Sequence, residues 1–126
     1  MFQMVEQRKV WWPVTWDAPI DGGRTMPVKI EMRFILLSPD DAEAIVQTAM
    51  ALDEESDDGR PQSVRKAEGL LPLIDDWRGV GDEDKQPVDF NIESLGQFFR
   101  LPGTFMPVVN AFAACMNGKV EARRKN

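Results

Sequence analysis

Between Val28 and Phe34 apolar and charged residues alternate without a break: Val28, Ile30, Met32 and Phe34 are separated by Lys29, Glu31 and Arg33. Successive side chains of an extended chain point to opposite faces, so a period of two sorts one apolar face from one polar face. The pattern predicts a strand with one face in the core and one in water. Upstream, Lys9-Val10-Trp11-Trp12-Pro13-Val14-Thr15-Trp16 is rich in β-formers and leads to the turn cluster Asp21-Gly22-Gly23. Together the two runs predict a long antiparallel hairpin over residues 9–37. Pro13 has no N–H for a ladder, which places the first strand at a sheet edge or on a bulge.

At Ser38 the period changes. Ser38-Pro39-Asp40-Asp41 has the order of a helix start, with a hydroxyl cap, proline in the first turn and acids at the positive pole. Ile45, Ala49 and Leu52 follow at helical spacing, and the helix is expected to end by about Glu55, before the Ser56-Asp57-Asp58-Gly59 break. A second helix is expected from near Pro61, carrying Val64, Ala67, Leu70, Leu71 and Ile74, with Pro72 kinking or ending it. Asn91 caps a third, with Ile92, Leu95, Phe98 and Phe99 on its apolar side, stopped by Pro102-Gly103. The last, from about Thr104 to Asn117, is apolar on most sides and calls for burial on most sides, inside the domain or under a partner. The predicted class is α+β: an N-terminal long antiparallel β-hairpin followed by about four α-helices packed as a small bundle. One domain of 126 residues comprises the hairpin, a helical part over 38–118 and a short basic tail over 119–126.

Ile74-Asp-Asp-Trp-Arg-Gly-Val-Gly-Asp-Glu-Asp-Lys-Gln-Pro-Val-Asp-Phe90 joins the second and third helices. It reads as a loop with Trp77 and Phe90 anchoring its two ends in the core and with Gly79 and Gly81 freeing the backbone for a turn. Asp82, Asp84, Gln86 and Glu93 approach the spacing of a calcium loop, but Pro87 stands where that loop needs glycine. Gly79-Val80-Gly81 lacks the third glycine and the preceding strand of a dinucleotide fingerprint. A solvated acidic turn between two buried aromatics is the expected structure.

The chain has no histidine and no tyrosine, and a single cysteine. The commonest general base and transition-metal ligand is therefore missing, and a Ser-His-Asp or Cys-His arrangement is impossible. Cys115 lies in an apolar run and reads as a buried thiol; one cysteine builds neither a disulfide nor a zinc site. A net charge of −6 opposes the phosphate-neutralising surface that nucleic-acid binding needs. No apolar run approaches a membrane span and Met1 to Val10 holds no signal-like apolar stretch, so a cytosolic protein without cofactor or metal is expected.

Adjacent Trp11 and Trp12 must point to opposite faces of a regular strand. An aromatic on the face that the helices leave bare is a candidate contact with another subunit or partner. On this ground Trp11 and Trp12, and on the over-apolar last helix Phe105 and Phe112, are the candidate partner-binding residues. Trp77 and Phe90 are assigned to the fold.

The order of these features resembles the tail assembly chaperones of long, flexible-tailed (siphovirus-type) bacteriophages and their prophages. The likeness runs from the Trp-Pro-Val-Thr-Trp segment and Asp21-Gly22-Gly23, through the alternating strand ending at Phe34, to Trp77-Arg78-Gly79-Val80, Pro87 and Phe90, then a short helix with Leu95. It covers about residues 9–118, and its most specific portion is Trp77 to Phe90. Lys85 departs from it, standing where a turn residue such as glycine is expected. The resemblance implies a non-enzymatic protein that binds the long, helical, aggregation-prone tape measure protein, keeps it soluble and helps tail tube subunits polymerise around it. It implies self-association, a place in the host cytoplasm and absence from the mature virion. Such chaperones are often made in two forms by a ribosomal frameshift, the extension carrying the tube-protein contact; this chain would be the short form, with Gly118-Lys119 or Lys125-Asn126 as possible slippage points.

Two other readings compete. One is a structural tail or connector component retained in the particle. The other is an enzyme that holds a divalent metal on Asp75, Asp76 and the Asp82 to Asp84 cluster, although further ligands of convincing spacing are missing.

Overall fold

The computed structural model of the protein describes residues 1–5, 7–52 and 59–118. Strands β1 (Arg8–Ile20) and β2 (Arg24–Leu36) form the hairpin, paired in an unbroken register from Arg8 opposite Leu36 to Ile20 opposite Arg24. Helix α1 (Pro39–Met50) follows, then α2 (Gln62–Leu70), a short 3₁₀ turn (Leu71–Leu73), strand β3 (Ile74–Arg78), α3 (Ile92–Arg100) and α4 (Phe105–Met116). The hairpin and the helices stand where the sequence puts them, and the class is α+β.

The departure is β3. Ile74 is not the last apolar residue of a helix, and the stretch it opens is not all loop. Leu70 ends α2, Pro72 sits in the 3₁₀ turn, and Ile74–Arg78 pairs antiparallel with β2. The sheet therefore has three strands in the order β1-β2-β3. Five residues are too few to show a period, and the register shifts between Arg33 and Phe34, so the alternation that marks β2 is broken in its partner. β1 is an edge strand, as Pro13 requires.

The inner face of the sheet supplies Val14, Ile30, Met32 and Phe34, all buried, with Val10, Trp12, Trp16 and Val28 packed beside them. Fully burying residues such as Met32 and Phe34 stabilises by roughly 1.5–3 kcal/mol each. Trp77 and Ile74 extend the same face onto β3, opposite Met32 and Phe34. Helix α2 packs against both α1 and α3, and α4 lies against β1. Gly69 lets α1 and α2 approach closely, since a Cβ there would come within 3.3 Å of the Ala49 Cβ.

Side chains close the starts of α1 and α3 and the end of α3. Ser38 Oγ accepts the Asp41 N–H of α1. Asn91 and Ser94 form a reciprocal capping box on α3. The buried Thr104 hydroxyl lies 2.7 and 2.9 Å from the carbonyls of Phe98 and Leu101, sharing one proton between groups left open at the end of α3. α1 ends at Met50, within the expected limit of about Glu55; that residue and the basic tail lie outside the described residues.

Candidate interaction surface

The hairpin outruns the body that covers it. Beyond the Trp16–Val28 pair no residue of the hairpin is buried, from Asp17 round the turn to Pro27. β3 pairs only with Glu31 to Phe34, so Arg24 to Ile30 of β2 have β1 as their sole strand neighbour. The side-chain alternation nevertheless continues. Ala18 pairs with Met26 and Ile20 with Arg24 on the face that carries Trp16 and Val28, and Ile20 and Met26 are 40% and 50% exposed. The apolar stripe of the core thus runs out along an arm that the helices among the described residues leave uncovered.

A second apolar surface lies on the body, where Met50 of α1 meets the α3–α4 turn. Met50, Leu101 and Met106 are all exposed there and line a cleft of about 360 Å³. Phe105 is in its wall, against Phe99 (centroids 5.2 Å apart) and under the Lys66 ammonium at 4.2 Å.

The four candidate partner-binding residues are thus separated. Trp12 packs against the core on the inner face. Trp11 points to the outer face, which the helices leave bare, between the guanidinium groups of Arg78 at 4.1 Å and Arg33 at 5.5 Å. Phe105 is half-buried at the cleft. Phe112 is 4% exposed and meets Phe34 edge-on at 5.4 Å, inside the core. The exposed apolar side chains of the arm and cleft, Ile20, Met26, Met50, Leu101 and Met106, were not among the sequence candidates. For the arm the signal was present, because extending the period of two outward from Trp16 and Val28 reaches Ile20 and Met26.

The outer face is a charge lattice around Trp11. Asp75 accepts from Arg33 Nε at 2.7 Å and Nη2 at 3.3 Å and pairs with Lys9 at 2.8 Å. Burial by itself pushes the Asp75 carboxyl up, but the hydrogen bonds from Arg33 and Lys9 outweigh it and hold it below its ordinary value. Glu31 is lowered by its 2.9 Å bond from Arg78. Cys115 is buried, and that burial raises its thiol above the ordinary value.

The segment from Trp77 to Phe90 folds into a stapled loop. Trp77 points inward and meets Phe90 edge-on at 5.2 Å, so both ends are anchored as the sequence indicates. Val88 N–H donates to the Val80 carbonyl at 3.0 Å, and Gly81 bridges Pro87. Asp82 Oδ1 accepts the N–H groups of Asp84 and Gln86 at 2.9 and 3.0 Å, which is turn chemistry. Gly79 uses a positive φ of 89°, but in the acidic turn the left-handed position falls on Lys85, φ 61°, rather than on Gly81. Among the described residues no group of three acids or cysteines is placed to hold a metal ion, and no helix is long and apolar enough to cross a membrane. No family model, curated protein or solved structure matches the chain.

Proposed function

We propose that the protein is a tail assembly chaperone of a long-tailed bacteriophage or prophage, acting without catalysis in the host cytoplasm and leaving before the virion matures. In this role it binds the tape measure protein, holds it in solution and helps recruit tail tube subunits, the last mainly through a frameshift-extended form. The observation that carries the reading is the arm, an apolar sheet face that continues past its own core to exposed Ile20 and Met26. Such a surface suits apolar segments of another chain. It supports the resemblance carried by Trp77 to Phe90, whose residues build the sheet edge and the stapled loop beside it. The separate cleft at Met50, Leu101 and Met106 favours self-association as well, since arm and cleft are two different apolar surfaces on one chain.

The test is co-expression with the longest helical open reading frame downstream of the gene, followed by affinity capture and a solubility assay. Recovery of a soluble complex, with the partner precipitating alone, supports the chaperone. A partner that stays soluble alone and does not co-purify moves the structural tail or connector component ahead, and finding this protein in purified particles would then establish it.

A further inference from the structure

Two apolar hollows share one pair of helix faces. Between α1 and α4, Ala42 and Val46 face Val109, Ala113 and Met116 across a groove of about 370 Å³, which Pro39 and Asn117 also line. Met50 of α1 and Met106 of α4 line the cleft of about 360 Å³ described above. Met50 stands one turn beyond Val46 and Met106 one turn before Val109, so the same face of each helix continues from the groove into the cleft. The start of α1 and the end of α4 meet in the groove, and the end of α1 and the start of α4 meet in the cleft. The two helices therefore run antiparallel and flank one seam, which at 12 residues a side is about 18 Å long.

Charge marks the seam only at its two ends. The charged residues of α1 are Asp40, Asp41 and Glu43, all in its first half, and α4 has none. Glu43 lines the groove, and Asp40 lies three residues before it on the same flank of the helix. At the other end Lys66 of α2 and Arg100 of α3 line the cleft, and among the described residues no acid does. The seam is thus acidic where α1 starts, basic where α1 ends, and apolar between. Three methionines, Met50, Met106 and Met116, edge it, and Met50 and Met106 are 43% and 44% exposed.

We infer that this seam binds an amphipathic α-helix of a partner protein, with the helix's acidic N-terminal end at Lys66 and Arg100 and its basic C-terminal end at Asp40 and Glu43. Its apolar stripe, anchored at i, i+3, i+4 and i+7, lies on Val46, Val109 and the methionines. Acids at the start and cations at the end are also what an isolated helix favours, because they complement its own dipole. The bound helix therefore runs parallel to α4 and antiparallel to α1. Flexible, polarizable methionines repack around side chains of different shape, which fits a site that accepts helices by charge order and stripe rather than by one sequence. This inference stands apart from the chaperone reading and can fail or hold without it.

The test is titration of the full ¹⁵N-labelled chain with two synthetic peptides of about 18 residues, or five helical turns. Both carry the same leucine stripe; one has glutamates in its first turn and lysines in its last, and the other has them exchanged. The first should bind at least tenfold more tightly by fluorescence anisotropy. A nitroxide on its N-terminus should broaden the amides of residues 100–106 and spare those of 39–43. Glu43→Lys with Arg100→Glu, both at exposed positions, should cut the ratio of the two affinities at least tenfold with the circular dichroism unchanged. That change in ratio separates recognition by the seam from any difference in helicity between the peptides. No binding, equal binding, or an unchanged ratio in the double variant overturns the proposal. So does broadening around Ile20 and Met26, which would give the peptide to the arm, and so does binding that disappears as the protein self-associates, which would give the seam to a second copy.

Discussion

Trp77 Nε1–H donates to the Val88 carbonyl at 2.7 Å, closing an eleven-residue span between the sheet edge and the start of α3. The same indole meets Phe90 at 5.2 Å and Phe98 at 5.6 Å, both edge-on. One side chain thus joins β3, the loop and α3. Trp77→Ala removes the packing and leaves the Val88 carbonyl without its donor, so it should destabilise by about 3–5 kcal/mol. Trp77→Phe keeps much of the packing and should cost less. Urea unfolding of the three proteins checks the order, and an unchanged midpoint for the alanine variant would remove Trp77 from the fold.

Asp75 sets an acid limit on stability. Its carboxyl is held below the ordinary value in the folded chain, so its contribution is present above the unfolded carboxylate pKa of about 3.9 and is lost as pH falls through the lower folded value. Asp75→Asn keeps the shape but not the charge that engages Arg33 and Lys9. At pH 7 it should destabilise by about 1–2 kcal/mol. The difference from the parent chain should shrink toward pH 3. Denaturation midpoints at both pH values test this, and a gap that widens in acid would contradict the assigned partners.

What could be read ahead depended on how many residues repeat a period. The seven residues from Val28 to Phe34 fix β2, and through it the face on which Trp12, Val14 and Trp16 lie. The caps at Ser38 and Asn91 are local hydrogen-bonding chemistry, so they also show in sequence. β3 did not show, because five residues with a bulge opposite carry no alternation and Ile74 also continued a helical spacing. The arm was only half legible. Its pairing follows from the hairpin, but its exposure depends on where the helices stop covering the sheet, a tertiary fact.

Lys85 holds φ 61° in the acidic turn, a conformation that costs a residue with a Cβ. It remains there because Asp82 accepts two backbone N–H groups across the turn and its own carbonyl accepts the Lys85 N–H at 2.9 Å. Lys85→Gly removes the steric term but adds freedom to the unfolded chain, so the gain should be no more than about 1 kcal/mol. Lys85→Val, branched at Cβ, should lose about 1–2 kcal/mol. Thermal unfolding of the pair gives opposite signs if the turn is as described.

Ile20 and Met26 separate binding from folding. Both lie beyond the last buried pair of the hairpin, so Ile20→Lys with Met26→Glu removes no core contact and should change stability by less than about 0.5 kcal/mol. The same change places two charges on the apolar stripe. If the arm covers apolar segments of a partner or of a second copy, binding must then desolvate those charges, and capture should fall at least tenfold, equivalent to about 1.4 kcal/mol. Leu101→Glu tests the cleft independently by the same readout. Light scattering on the free protein and capture of the co-expressed partner distinguish the two uses. Loss of scattering mass with capture intact assigns the arm to self-association, and loss of capture alone assigns it to the partner. If neither changes, the arm is not the interaction surface, and the bare outer face around Trp11 becomes the next surface to mutate.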